Sequence, residues 1–218
     1  MRTTPTLPQQ LYLLCYTVEK DKFTLTDLQG RGQLLRAGAL TELALAGSLS
    51  ADGGKVARAG AEPQDDPFLT EVWRELPEKP KGWLSYVHNK AHRAEKPVRE
   101  QLAAAGTITV RHEKGLRRLG VDRATVNDPQ QVLALQERVR HAALGDLDPA
   151  ALPADELTMA VLAAEVEVKS LFTGKERRAH KPAFKALAAR YDGMVPGLRK
   201  ALRDSYLAST VVGGGWGA

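Results

Sequence analysis

The sequence predicts a mainly α-helical, single globular domain with small β-hairpins, one of them basic and projecting. Three observations carry that expectation. Apolar residues recur at spacings of three and four over Leu28 to Ala46, at Leu34, Leu35, Ala39, Leu40, Leu43 and Ala44, as a helix with a buried face requires. An Ala/Leu/Val-rich segment, Ala154 to Phe172, reads as the most buried helix of the chain. Twice, a helical stretch ends on a glycine, Gly47 and then Gly106, and leads straight into a β-rich segment, the order expected where glycine closes a helix in the left-handed conformation.

Taken in order, Leu7 to Val18 is dense in apolar residues and fits either a buried helix or a helix running into a strand, since periodicity alone does not choose. Glu19 to Lys22 is a charged turn. After the helix that ends at Gly47, Asp52, Gly53 and Gly54 lie between Leu49 and Val56 and form a hairpin turn, because Asp and Gly tolerate positive φ. Helices are expected at Pro67 to Leu76 and at Gly82 to Lys90, separated by the stiff Pro77 to Pro80 linker. Val98 to Ala105 is a short helix with Pro97 in its first turn. Gly106 stops it, Thr107 to Arg111 is β-rich, and Gly115 and Gly120 punctuate a second, basic hairpin running to about Val126. The two helix–glycine–hairpin stretches echo each other without aligning as a sequence repeat.

From Asp128, a cap placed before Pro129, the chain reads as helical to its end. Val132, Leu133, Leu135 and Val139 mark the first of these helices, and Ala154 to Phe172 follows. A turn over Leu171 to Lys175 introduces a last pair, Pro182 to Tyr191 and Val195 to Leu207, broken at Asp192 and Gly193. Residues 1–212 form one domain, and Gly213 to Ala218 is a flexible glycine-rich tail.

Composition narrows the function classes. With 43% hydrophobic and 26% charged residues in 218, the chain can bury a core and is not a disordered one. No run of about 18 apolar residues is present, so no membrane span is expected. One cysteine, Cys15, and no visible export signal fit a reducing, cytoplasmic address. The formal net charge is +5. Lys90 to Arg123 holds nine Lys/Arg against four acids, which equals that excess and points to an anionic partner.

Enzyme signatures do not assemble. Gly54-Lys55 lacks the first glycine of a phosphate-cradling loop, and Gly30-Arg31-Gly32 is a glycine-rich turn without the further glycine of a dinucleotide fingerprint. No G-x-S-x-G elbow occurs. His88 and His92 are four apart and would share a helical face, but Asn89 stands where a zinc-protease helix has its glutamate and Lys90 repels a cation. No catalytic residue, metal or cofactor is therefore assigned.

The basic window offers better chemistry. Lys90, Arg93, Lys96 and Arg99 recur every third residue, a drifting stripe of cations if the backbone stays helical. The hairpin adds Arg111, Lys114, Arg117, Arg118 and Arg123 around Leu116, Leu119 and Val121. Cations mixed with apolar residues suit a membrane interface. They also suit a winged-helix wing on nucleic acid, although Val98, Leu102 and the alanines leave little polar surface for reading bases. A protein-interaction adaptor, dimeric through the 107–126 hairpin, is a third reading.

The run Leu34-Leu35-Arg36-Ala37-Gly38-Ala39-Leu40-Thr41-Glu42-Leu43-Ala44-Leu45-Ala46-Gly47-Ser48-Leu49 resembles the R-G-x-x-L-x-E-L-A-L-x-G-x-L block of the Golgi phosphoprotein 3 domain family. The Leu7 and Leu11 to Leu14 opening, the Val98 to Leu102 and Gly106 to Ile108 segments and the helical C-terminal half extend the likeness over most of the chain. The resemblance implies a mostly helical fold with a basic membrane face, a hairpin used in self-association or lipid contact, and binding of phosphatidylinositol 4-phosphate. It sets Arg36 on the family's first pocket arginine and Asp27 on its tryptophan. His92 and Glu95 fall on two basic positions three apart, whereas a small shift supplies Lys90 with Arg93 or Arg93 with Lys96. The expected headgroup site is thus Arg36, Lys90, Arg93 and Lys96. The expected membrane contact is Arg111, Lys114, Leu116, Arg117, Arg118 and Leu119, and the partner is an acidic phospholipid surface.

Overall fold

The computed structural model describes residues 4–23, 28–114 and 120–213. A central helix, α2 (Leu28–Leu45), organises the rest. Around it pack α1 (Leu7–Leu14), α3 (Pro67–Glu75), α4 (Leu84–His88), α5 (Ala91–Ala104), α7 (Ala154–Glu165) and α10 (Leu198–Gly213). α6 (Pro129–Leu144) and α9 (Lys181–Met194) lie on α7, and the short α8 (Gly174–Ala179) leads into α9. Three antiparallel strand groups complete the described residues. They are β1 (Tyr16–Thr17) with β2 (Lys22–Phe23), β3 (Leu49–Asp52) with β4 (Lys55–Arg58) and β5 (Lys81–Gly82), and β6 (Ile108–Lys114) with β7 (Gly120–Val126).

Because α2 is enclosed on nearly every side, its polar residues need internal partners. Arg31 pairs with Glu95, Gln33 donates to Ser209 Oγ and the Ser205 carbonyl, and Thr41 bonds Tyr191 at 2.6 Å. Glu42 accepts the Leu7 amide at 2.7 Å, placing a carboxylate at the positive end of α1. Helix α2 is therefore the hub of the fold. Gly30-Arg31-Gly32, expected as a turn, lies inside this helix, and a side chain at Gly32 would meet the Ala91 carbonyl at 2.0 Å. Glycine there lets α2 and α5 approach closely.

Both helix–glycine–hairpin stretches are present. Gly47 and Gly106 each have φ of +70°, and the amides of Ser48 and Thr107 reach back to Leu43 and Leu102, so both helices end in the same six-to-one closure. Each hairpin is then shut at its base by one bond, Ala59 to Ser48 and Asn127 to Thr107. Asp128 caps α6 by accepting from Gln130 and Gln131, with Pro129 first in the helix.

Several boundaries differ from the sequence expectation. Helix α5 starts at Ala91 rather than Val98 and carries Pro97 in its interior. Gly82 belongs to an edge strand, and α4 is only five residues long. α7 stops at Glu165 because Glu167 turns left-handed at φ +55° and the Val168 amide closes back on Ala163. The last two helices break at Val195 to Gly197, where Gly197 has φ +88°, and not at Asp192 and Gly193, which stay helical. Gly213 ends α10, and residues 214–218 lie outside the described residues.

Candidate functional site

Arg36 is buried, with 3% of its side chain exposed, and its guanidinium bridges two elements. Nη2 meets Glu75 Oε2 at 2.6 Å, and Nε donates to the Tyr86 carbonyl at 2.5 Å. Glu75 is the final residue of α3, whose start is fixed by Asp66 accepting the Leu69 amide and by Pro67. The other Glu75 oxygen accepts from Lys90 Nζ at 2.8 Å. One carboxylate is thus held between two cations.

Lys90 reaches that position through its backbone. It sits at φ +59°, ψ +10° between α4 and α5, a left-handed conformation that costs a non-glycine residue about 1–2 kcal/mol. The bend ends α4 and aims the ammonium back at Glu75. Half of the Lys90 side chain stays exposed, at 49%, against 16% for Glu75. Burial pushes the Glu75 carboxyl up, but hydrogen bonds from Lys90 and Arg36, together with their charges, outweigh it and hold the group below the ordinary carboxylate range.

A surface pocket of about 280 Å³ opens over this trio and is completed by Ser85, Tyr86 and Asn89. It shares Glu75 and Lys90 with a neighbouring depression of about 480 Å³ lined by Glu62, Gln64, Pro67, Thr70, Glu71 and Arg74. The pair is therefore flanked by open space on two sides.

Of the expected headgroup residues, the structure brings Arg36 and Lys90 together. Arg93 and Lys96 lie on the exposed side of α5 and make no bond to that pair. The Arg93 side chain has no hydrogen-bond or ion-pair partner among the described residues, and Lys96 stands 3.8 Å from Glu100. Arg99 is engaged with Asp122 of β7 at 2.7 Å. Because α5 continues through Pro97, Arg93, Lys96 and Arg99 do form a stripe on one helix, while Lys90 precedes it.

The positions matched by resemblance behave differently. His92 is exposed, whereas Glu95 accepts both Nε and Nη2 of the buried Arg31, at 3.1 and 2.9 Å. Arg31 also lies 6.0 and 5.9 Å from the ring centroids of Tyr12 and Phe23, within reach of a cation–π contact. A cation–carboxylate pair that sequence reasoning missed therefore fills this end of α2. Asp27 lies outside the described residues. His88 and His92 do not share a helical face, because α4 ends at His88 and α5 begins after the left-handed Lys90.

On the hairpin, Arg111 is exposed and lies directly across from Arg123 in register. Lys114 is described only as the last residue of β6, and Leu116, Arg117, Arg118 and Leu119 lie outside the described residues. Ile108, Ala124 and Val126 bury the base of the hairpin in the core. Among the described residues, no helix is long and apolar enough to cross a membrane.

A family model described as Golgi phosphoprotein 3 (GPP34) matches residues 7–205. Among curated proteins, none matches the sequence.

Proposed function

The chain belongs to the Golgi phosphoprotein 3 family, and from that premise we propose a non-enzymatic, peripheral membrane module that binds acidic phospholipid headgroups. The preferred ligand is a phosphomonoester such as phosphatidylinositol 4-phosphate. The observation that carries the reading is the convergence of Arg36 and Lys90 on one carboxylate beneath a surface pocket.

Two cations against one carboxylate leave a unit of positive charge at the site. A phosphomonoester brings a charge of about −1.5 to −2 and three acceptor oxygens. It satisfies the guanidinium fork and the ammonium together, which one Glu75 oxygen for each does less well. In this mechanism the phosphate takes the place of Glu75 between the two cations and leaves Arg36 and Lys90 to the ligand. The exposed Arg93, Lys96 and Arg111 add general attraction to an acidic surface, each worth about 1 kcal/mol near it.

The geometry changes which substitution tests this. Removing Arg36 leaves Glu75 half-compensated at a largely buried position, so Arg36→Ala costs about 2 kcal/mol or more of stability and confounds a binding assay. Lys90→Gly is cleaner. It deletes the cation and also relieves the left-handed backbone, so binding to phosphatidylinositol 4-phosphate vesicles falls while urea unfolding stays within about 1 kcal/mol of the parent. Undiminished vesicle binding by that variant would sink the site.

A further inference from the structure

At the base of the second hairpin lies a pocket that the headgroup reading does not use. It measures about 420 Å³ and is walled by α1 and the residues just before it, by the glycine closure at 105–107, by the end of β7 with the α6 cap, by α6 itself and by the start of α7. That volume falls within the roughly 300–1,000 Å³ of small-molecule sites. The pocket shares no residue with the one over Arg36 and Lys90.

Part of its lining is apolar: Leu13, Val126, Val132 and Leu135 belong to the buried core. Two side chains of opposite charge line the same pocket, the exposed Arg138 of α6 and the half-buried Asp155 in the first turn of α7. Neither side chain has a hydrogen-bond or ion-pair partner among the described residues, so they share one pocket without pairing with each other. The third charged group, Asp128, is already engaged, because its carboxylate accepts the Gln130 and Gln131 amides. On α6, Gln131, Leu135 and Arg138 follow at spacings of four and three, so one helical face carries the apolar lining up to the guanidinium.

We propose that this pocket binds the zwitterion of a free α-amino acid with an apolar side chain. Arg138 takes the carboxylate in its planar fork, Asp155 takes the ammonium, and the ligand's side chain covers Leu13, Val132 and Leu135. The lining selects against the alternatives. One cation against two carboxylates leaves it net negative, which repels a phosphate or any other simple anion. A purely apolar ligand covers two charges without pairing them, and an amine without a carboxylate leaves Arg138 unmatched. Only a ligand that carries both charges next to an apolar group satisfies all three parts.

The test is isothermal titration calorimetry of the full chain with L-leucine, with L-leucinamide, which lacks the carboxylate, and with isocaproate, which lacks the ammonium. Wild type binds L-leucine at least tenfold more tightly than either analogue. Arg138→Gln and Asp155→Asn each weaken L-leucine binding at least tenfold, while their urea midpoints stay at that of the parent, since neither side chain holds another part of the fold. Failure of wild type to bind L-leucine overturns the site. Equal binding of L-leucine and the two analogues by wild type overturns the zwitterion and leaves an apolar hollow only, a comparison that needs no variant to fold. L-leucine affinity unchanged in either variant overturns the role given to that residue and with it the proposal.

Discussion

Single residues in this protein carry opposed demands, and substitutions separate them. Lys90 combines an unfavourable φ of +59° with an ion pair to Glu75, so its conformation is held for the sake of where its ammonium goes. Gly32 is the reverse, a residue whose missing side chain is the point. With the Ala91 carbonyl 2.0 Å from where a Cβ would sit, Gly32→Ala forces α2 and α5 apart and costs about 3 kcal/mol or more, read as a lower urea midpoint. Glu176 sets an acid limit. Hydrogen bonds from Arg140 and from the Thr173 side chain and amide hold its carboxyl down at about 2, from an ordinary 4.5. A depressed carboxyl contributes stability that is complete above its unfolded pKa and is lost as pH falls through the folded one. Stability of the parent should thus decline between about pH 4.5 and 2 more steeply than that of Glu176→Gln. Parallel thermal melts in that window check it, and identical slopes would contradict it.

At the level of elements, the two helix–hairpin units give a paired prediction. Nothing lies within 4 Å of a Cβ built on Gly47 or Gly106, and both have φ of +70°. Alanine at either site therefore meets only the conformational cost, about 1–2 kcal/mol, and chemical denaturation should return nearly equal losses. A loss at one site alone would mean that the two closures are not equivalent. These units were legible in the sequence because a helix stop is a local event, written in Gly47, Gly106 and Asp128. Boundaries fixed by distant packing were not. Pro97 signals a first turn when read locally, yet α5 begins six residues earlier, where Ala91 and Ala94 are buried and hold the extra turns against the loss of one backbone bond. The stop of α7 at Glu165, before the left-handed Glu167, has no glycine to announce it. For the site, Arg36 and Lys90 were readable as cations, but their shared partner Glu75 lies 39 residues from one and 15 from the other. No spacing rule connects residues that meet only through tertiary structure.

In the whole molecule, charge and core are arranged around one helix. α2 supplies Arg36 to the pocket and Thr41 and Glu42 to the packing of α9 and α1. Salt should weaken general attraction to acidic vesicles more than recognition by the Arg36–Lys90 pair, because Arg36 is buried and less screened. The most direct measurement is co-sedimentation at physiological salt, comparing phosphatidylinositol 4-phosphate vesicles with phosphatidylserine vesicles of equal charge, for wild type and Lys90→Gly. The predicted result is a preference of about tenfold or more for the phosphomonoester in wild type, about 1.4 kcal/mol, and its loss in the variant with residual binding to both vesicles. Equal binding of wild type to the two vesicles, or a preference untouched by Lys90→Gly, would contradict a phosphate site between Arg36 and Lys90.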